Sequence, residues 1–428
     1  MRIGLSAAAA VAFAVTIAVQ TAVAPAANAA IALPLDRTAS AKVPSAPPVQ
    51  FLRANFMTGT GEGIAGTGPL TLGTPLETGT YDDPFDAPDR GPLAYERGTW
   101  TSVPTSVPFP FDELVASWNA TTPAGTWISI EMEATTSSGR PTKFYTMGIW
   151  ASGDGDIHRT SVPAQGDADG SIAIDTFVRA KKAPDLSSYR LRVRLYRLAG
   201  TTATPSVRML GAMTSQAFKF TTPSPYDGGT SDVAVRRYSQ EVHTGEYPQF
   251  DGGGEAWCSP TSTAMVLDRW GATLDPAELA AIPYADPAVD HAARFVYDWN
   301  YQGAGNWPDN AAYAARYVDE AFVTRLRSLR EAELFIKAGI PLVASINGRL
   351  PGFFFGKTNG HLLVIRGFTA SGDVIANDPA VPTNAEVTKT YGRKDFEDVW
   401  LGGSAGIVYV VHPSRAPLPA NVSGPPNW

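Results

Sequence analysis

The chain of 428 residues contains one cysteine, Cys258, placed between a glycine run and a segment of helical character. Residues 252–254 are all glycine, and Pro260 stands where the first turn of a helix tolerates a residue without an N–H. The unpaired N–H groups and the positive dipole end of a helix N-terminus favour an anion, and the thiolate is the nucleophilic form of cysteine. The pattern therefore predicts a catalytic thiol rather than an inert buried one.

A nucleophilic thiol needs a general base, and His361 has the most suitable setting for one. It follows Asn359-Gly360 and opens an apolar segment with strand character, and a second such segment ends at Asp378. Residues 369–372 form a turn between the two segments, so antiparallel pairing brings Asp378 back beside His361. A carboxylate in that place can fix the imidazole and stabilise its charged form.

A tetrahedral intermediate also requires donors for its oxyanion. The Cys258 backbone N–H at the helix start would supply one of them. Two upstream glutamines, Gln240 and Gln249, could supply the other. We favour Gln240 because it lies at the entrance of the domain, although spacing leaves Gln249 open.

Composition and histidine spacing disfavour several classes of site. The chain carries a formal net charge of −7, which disfavours a nucleic-acid partner. The five histidines show no close ligand spacing, so we expect neither a metal nor a cofactor.

The N-terminal residues have the character of an export signal. Arg2 precedes an apolar, alanine-rich run, and residues 27–29 form a small-residue cleavage site, so residues 1–30 are predicted to be a signal peptide. Residues 31–50 are predicted to be a flexible leader. Because no later stretch is apolar enough to span a membrane, we expect a secreted, extracellular protein with no transmembrane segment in the mature chain.

The remaining chain divides into two domains of different pattern. Residues 51–224 show short stretches of period-two alternation, as in 126–133 and 189–196, and predict an all-β sandwich. Residues 225–234 are predicted to be a linker, and 414–428 a disordered proline-rich tail. Residues 235–413 predict helices followed by an antiparallel sheet, the α+β class. The helices are expected at 258–270, 275–281, 290–301, 310–321, 329–338 and 393–400.

One strand of the predicted sandwich places Arg190, Arg192 and Arg194 on the same face. A basic stripe of this kind could bind an anionic wall polymer or glycan. The alternative, which we favour, is a solvated outer face whose charges discourage edge pairing.

The order of these motifs resembles that of the papain-like cysteine peptidases. Gln240 comes first, then residues 257–262 lead a helix, then Gly360-His361 opens a strand and residues 377–379 read Asn-Asp-Pro. The pattern is most similar to the bacteriocin-processing (double-glycine leader) peptidase family and its secreted relatives, over residues 235–412. The resemblance implies a papain-like fold, a Cys258, His361 and Asp378 triad, and an oxyanion-hole glutamine at Gln240.

The chain also departs from that family. It lacks the transporter and ATP-binding domains of the processing peptidases, and Trp257 and Ser259-Pro260 stand where those enzymes have Asp and Gly. Their leader-peptide specificity is therefore not transferred to this chain.

These observations lead to one functional hypothesis and two rivals. We expect a secreted cysteine peptidase that cleaves an amide bond of a peptide or protein through a thioester acyl-enzyme. The first rival keeps the chemistry but takes amide bonds of peptidoglycan stem peptides as the substrate. The second is a non-catalytic protein that binds cell wall or glycan and uses the hydrolase-like domain as a scaffold.

Overall fold

The computed structural model describes residues 48–86, 90–217, 220, 223–422 and 424–428. The predicted signal peptide and residues 31–47 of the predicted leader lie outside these residues. The last residues assigned to the leader already belong to a strand, which begins at Val49. None of the helices in the described ranges is long and apolar enough to cross a membrane.

Two antiparallel seven-stranded sheets form the N-terminal domain and face each other across an aromatic core. Trp118 of one sheet lies 6.3 Å from Trp150 of the other, measured between ring centroids, and Tyr145 lies 5.0 Å from Phe177. The alternating sequences of the strands in both sheets put one set of side chains into this core and the other set outside. The first sheet contains β1 (Val49–Arg53), β3 (Ile64–Ala65), β4 (Leu70–Leu72), β8 (Glu113–Thr121), β11 (Gly170–Ala173), β12 (Thr176–Arg179) and β14 (Ser206–Ser215). The second contains β2 (Thr60–Glu62), β5 (Glu77–Tyr81), β6 (Leu93–Thr101), β7 (Thr105–Phe111), β9 (Thr126–Thr136), β10 (Tyr145–Trp150) and β13 (Leu186–Leu198).

The C-terminal domain combines helices with a third antiparallel sheet of seven strands, in keeping with the expected α+β class. Its strands are β15 (Ser231–Asp232), β16 (Glu320–Arg325), β17 (Leu342–Arg349), β18 (Lys357–Phe368), β19 (Val374–Asn377), β20 (Thr388–Tyr391) and β21 (Ile407–His412). Its helices are α1 (Cys258–Trp270), α2 (Pro276–Ala280), α3 (Pro287–Val296), α4 (Trp307–Ala314), α5 (Leu329–Lys337) and α6 (Arg393–Ser404). Four short 3-10 turns occur at Gln240–His243, Pro248–Phe250, Gly254–Trp257 and Asn384–Glu386.

The helix predicted over residues 310–321 is wrong at its end. Helix α4 stops at Ala314, and the chain enters β16 at Glu320. Strand β16 pairs with β21 and meets the sandwich strand β8, where Asn119 hydrogen-bonds both the N–H and the C=O of Ala321. These partners are distant in sequence, so local periodicity could not reveal them.

The predicted tail is not disordered in the described residues, so that expectation is corrected. Asn427 and Trp428 are buried, and the Asn427 amide donates to the Arg325 carbonyl and to Glu331. Phe51 also donates its N–H to the Pro426 carbonyl. The tail therefore packs where β1 of the sandwich meets the C-terminal domain.

The stretch predicted as a linker, residues 225–234, lies against the C-terminal domain. Ser231–Asp232 pair with Gly367 and Phe368 at the end of β18. Just before this stretch, the Ser224 N–H donates to Glu397, and Arg393 donates to the Ser224 carbonyl. The segment that joins the two domains is thus bonded to the C-terminal domain both at Ser224 and at Ser231–Asp232.

Candidate active site

The candidate nucleophile, Cys258, is the first residue of α1, at the helix start that the sequence predicts. The turn Gly254–Trp257 runs directly into Cys258, whose side chain is largely buried. Gly253 has φ +70°, and a Cβ there would lie only 1.8 Å from the His243 carbonyl oxygen, so no other residue fits. The indole N–H of Trp257 donates to the Phe250 carbonyl at 2.7 Å and fixes the approach to the helix.

His361 and Asp378 come together as the hairpin topology predicts. His361 lies on β18, Asp378 follows the last residue of β19, and the two strands are antiparallel neighbours. The His361 Nε2 lies 2.7 Å from Asp378 Oδ1, and both side chains are almost completely buried. Because Nε2 faces the carboxylate, Nδ1 is the ring nitrogen left for the thiol.

The electrostatics of the site favour a charged imidazole. Burial by itself lowers the pKa of His361, but the Asp378 carboxylate and a hydrogen bond with the Cys258 thiol outweigh burial and raise that pKa to about 10. Burial raises the pKa of Asp378, and its contacts with His361, Tyr391 and the Ala380 N–H lower it by more, so that the net shift is downward. The arrangement therefore keeps an imidazolium paired with a carboxylate beside the thiol.

Asp378 is held by two further donors that the sequence reasoning missed. The Tyr391 hydroxyl donates to Oδ2 at 2.6 Å, and the Ala380 N–H donates to Oδ1 at 3.0 Å. Tyr391 belongs to β20, which pairs with β19. No local motif marks this tyrosine, because its role depends on which strand is the neighbour of β19.

The two candidate glutamines occupy different places. Gln240 is buried, its backbone N–H donates to the Pro379 carbonyl next to Asp378, and its 3-10 turn packs against the turn that precedes Cys258. Its amide Nε2 donates to Glu241 Oε1 at 3.0 Å. Gln249 is exposed and lines a separate cavity with Tyr247 and His291. Only Gln240 of the two is close to the histidine and the aspartate.

The sandwich domain contributes to the surroundings of the thiol. Asp175, in the turn between β11 and β12, accepts a hydrogen bond from the Trp307 N–H at 2.9 Å, and burial raises its pKa to about 7. Burial raises the pKa of Tyr301, and the nearby Asp175 and Cys258 raise it further. Tyr301 therefore lies within electrostatic reach of both a sandwich carboxylate and the cysteine, a link that sequence spacing could not show.

The arginine stripe of the sandwich is paired within its own sheet. Arg190 donates to Glu133 at 2.9 Å, Arg194 lies 3.2 Å from Glu131, and Arg192 also contacts Glu131. The stripe is thus largely neutralised by the neighbouring strand β9, which favours the interpretation of a solvated sheet face.

Comparison with protein families gives two matches that lie side by side on the chain. Residues 51–215 match the model of the Peptidase C39 N-terminal domain, and residues 233–405 match that of the Peptidase_C39 like family. The chain is a relative of the papain-like C39 cysteine peptidases. The C39-like match covers Gln240, Cys258, His361 and Asp378, and it supports a peptidase-like hydrolase.

No curated protein matches this C39 relative. Among solved structures, a fragment of prointerpain A from Prevotella intermedia is 14% identical with a TM-score of 0.27, covering 46% of this chain and 76% of that one. A structure of the infectious bursal disease virus Gt strain is 11% identical with a TM-score of 0.21, over 44% of this chain and 36% of that one. A family 22 carbohydrate-binding module of Clostridium thermocellum Xyn10B is 11% identical with a TM-score of 0.18, over 39% of this chain and 96% of that one. The chain thus spans about a third of the viral protein, and at these TM-scores none of the three similarities enters the functional argument.

Proposed function

We propose that this protein is an exported cysteine peptidase that hydrolyses an amide bond with Cys258 as nucleophile, His361 as base and acid, and Asp378 as the residue that orients His361. The observation that carries the proposal is the buried His361–Asp378 pair, whose Nε2 and Oδ1 lie 2.7 Å apart, with Cys258 close enough to His361 to help raise the pKa of the imidazole. The match to the C39-like family over this domain supports the same chemistry.

The reaction would proceed in two halves. In the first, His361 holds the thiol proton, the thiolate attacks the carbonyl carbon, and the imidazolium passes its proton to the leaving amine as the C–N bond breaks. The product is a thioester on Cys258. In the second, neutral His361 takes a proton from water, the hydroxide attacks the thioester, and the carboxylic acid leaves as the thiol is restored.

Two donors are available for the oxyanion in both halves. The Cys258 backbone N–H is unpaired within α1 because it opens the helix. The Gln240 amide has two N–H bonds, of which Glu241 takes one, and the second can donate to the oxyanion. We therefore assign the oxyanion role to Gln240 and not to Gln249.

The surface next to His361 carries aromatic side chains. The Phe353 ring lies 5.1 Å from the His361 ring between centroids, and Phe354 and Phe355 beside it are 54% and 42% exposed. Exposed aromatic side chains next to a reacting group favour an apolar partner. We expect a peptide substrate with an apolar residue near the scissile bond.

The decisive experiment compares hydrolysis by the wild type and Cys258→Ala. A peptide library and purified cell-wall sacculi are incubated with each protein, and products are identified by mass spectrometry. Cleavage by the wild type alone supports the proposal, and the cleaved material distinguishes peptides from peptidoglycan stem peptides. Equal cleavage by both proteins would overturn the role of Cys258. No cleavage by either protein, with no covalent acyl-enzyme from an activated ester, favours the non-catalytic scaffold.

A further inference from the structure

A second cluster of titratable side chains lies behind the turn that leads to Cys258 and takes no part in the proposed reaction. It consists of His243, Glu246 and Asp290 and is called here the His243 cluster. The imidazole Nδ1 lies 2.7 Å from Glu246 Oε2 and 3.3 Å from Asp290 Oδ2. One ligand atom from each residue falls within 4.8 Å of the others. We propose that the His243 cluster binds one divalent transition-metal ion, of which zinc is the representative.

The first argument is the burial of an unpaired carboxylate. The Asp290 side chain is 0% exposed, and within the described part of the chain neither of its oxygens accepts a hydrogen bond. The single N–H that Nδ1 could carry points to Glu246, the closer acceptor. A buried carboxylate without a hydrogen bond is costly, and the one ion-pair contact of Asp290 among the described residues, His243 Nδ1 at 3.3 Å, is shared with the closer Glu246, so the site calls for a further cation.

The second argument is the balance of charge. Two carboxylates and one neutral imidazole carry a charge of about −2, which one divalent ion neutralises, whereas protonation of His243 leaves one negative charge uncompensated. The nearest basic residue on α3, Arg294, is already engaged by Asp154 through two hydrogen bonds of 2.7 and 2.9 Å. The charge of the cluster is therefore left for an ion.

The third argument is the donor set and its geometry. Zinc takes histidine nitrogen and carboxylate oxygen at about 2.0–2.2 Å in a tetrahedron, which places ligand atoms roughly 3.4 Å apart. The 3.3 Å between His243 Nδ1 and Asp290 Oδ2 matches that separation, and the 2.7 Å to Glu246 Oε2 would lengthen as the ion enters between the two atoms. Calcium and magnesium prefer oxygen alone, so a nitrogen in the set favours a transition metal.

The ion would have a route to the cluster and an open position. Asp290 also lines a cavity of about 520 Å³, together with Tyr247, Phe250 and His291. Glu246 is 13% exposed, so the cluster is within reach of solvent. A water molecule can complete the tetrahedron from that side.

The position of the cluster indicates what the ion would do. His243 ends the 3-10 turn that begins at Gln240, and its ring lies 6.0 Å from that of Trp257, the residue before Cys258. Asp290 belongs to α3, which packs on α1. A bound ion would tie the Gln240 turn to α3 and thereby hold it against the start of α1. The role is structural, because the cluster has no contact with His361 or Asp378 among the described residues.

The test uses the full mature chain in a Cys258→Ala background, since zinc could otherwise bind the thiol and His361. After treatment with EDTA, the protein is titrated with zinc chloride by calorimetry, and its Tm is measured with and without zinc. We expect one zinc ion per chain and a higher Tm with zinc. Glu246→Gln and Asp290→Asn should each weaken zinc binding by at least about 100-fold, beyond the effect of a lost outer-shell partner.

A matched control lies on the other wall of the same cavity. His291 pairs with Glu278 at 2.9 Å and with no second carboxylate in the part of the chain that the structure describes, so Glu278→Gln should leave zinc affinity within about twofold. If Asp290→Asn fails to fold, the zinc affinity of Glu246→Gln, a change at a partly exposed residue, tests the proposal instead. Zinc uptake by the wild type but not by Cys258→Ala would overturn the proposal, as would no uptake at all or an equal loss in Glu246→Gln and Glu278→Gln.

Discussion

The His361 Nε2 and the Asp378 Oδ1 lie 2.7 Å apart in a site from which water is almost entirely excluded. His361 lies on β18 and Asp378 directly follows β19, the antiparallel neighbour of β18, so strand pairing brings the two residues together. Burial strengthens the attraction between the imidazolium and the carboxylate, because little solvent screens it. This buried pair is the basis of the first two predictions.

We expect Cys258 to react unusually fast with iodoacetamide in the native protein. The neighbouring His361 can take the thiol proton, so alkylation at neutral pH should be faster than that of a free cysteine. In His361→Ala the reaction should slow by at least about tenfold at pH 6. The rate is measured against pH by mass spectrometry, and a wild-type rate that follows an ordinary thiol would contradict the Cys–His pairing.

The stability of the protein should fall as the pH rises from 6.5 towards 10. The pKa of His361 is about 10 in the folded protein and 6.5 in the unfolded chain. The protonated imidazole therefore stabilises the fold fully below pH 6.5, and this stabilisation is lost as the pH rises through about 10. The slope should approach about 1.4 kcal/mol per pH unit at most and should shrink in Asp378→Asn. Urea unfolding at several pH values measures it.

The control for that slope is Asp185→Asn, since the Asp185 side chain is 58% exposed and lies 3.9 Å from Arg179. Its slope should equal that of the wild type. A slope that Asp378→Asn leaves unchanged would mean that the pair does not govern this part of the pH dependence.

A kinetic test distinguishes the two candidate oxyanion donors, Gln240 and Gln249. Gln240→Ala should lower kcat/KM on a cleaved peptide by about 10²–10³-fold, because one donor to the oxyanion is lost. Gln249→Ala should change it by less than about twofold, since Gln249 is exposed and lines another cavity. The reverse result would reassign the oxyanion role to Gln249.

The C-terminal residues should contribute measurably to stability. The buried Asn427 side chain accepts from Arg327 at 2.6 Å and donates to the Arg325 carbonyl and to Glu331. Asn427→Ala should therefore lower the free energy of unfolding by about 3 kcal/mol, because it removes hydrogen bonds to charged groups. Val422→Ala, at a residue 61% exposed in the same segment, should have little effect. A loss of less than about 0.5 kcal/mol in Asn427→Ala would show that the tail is not anchored.

The candidate site could be predicted from sequence to the extent that it is built from local features. The glycine run and Pro260 mark the start of α1 at Cys258, and Gly271, at φ +67°, ends the helix where the pattern places it. The short turn between β18 and β19 brings Asp378 to His361 without any distant partner. Helix caps and tight hairpins depend on a few neighbouring residues, so their signals are written in the sequence.

The tertiary structure alone decided the rest, because those features depend on partners far away along the chain. Tyr391 reaches Asp378 only because β20 pairs with β19, and the strand β16 exists because β21 and the sandwich supply its partners. The position of Gln240 next to Pro379, the approach of Asp175 to Tyr301, and the meeting of Asp290 with His243 all depend on how separate elements pack. Packing of this kind is determined by burial over the whole domain, which no local pattern of residues records.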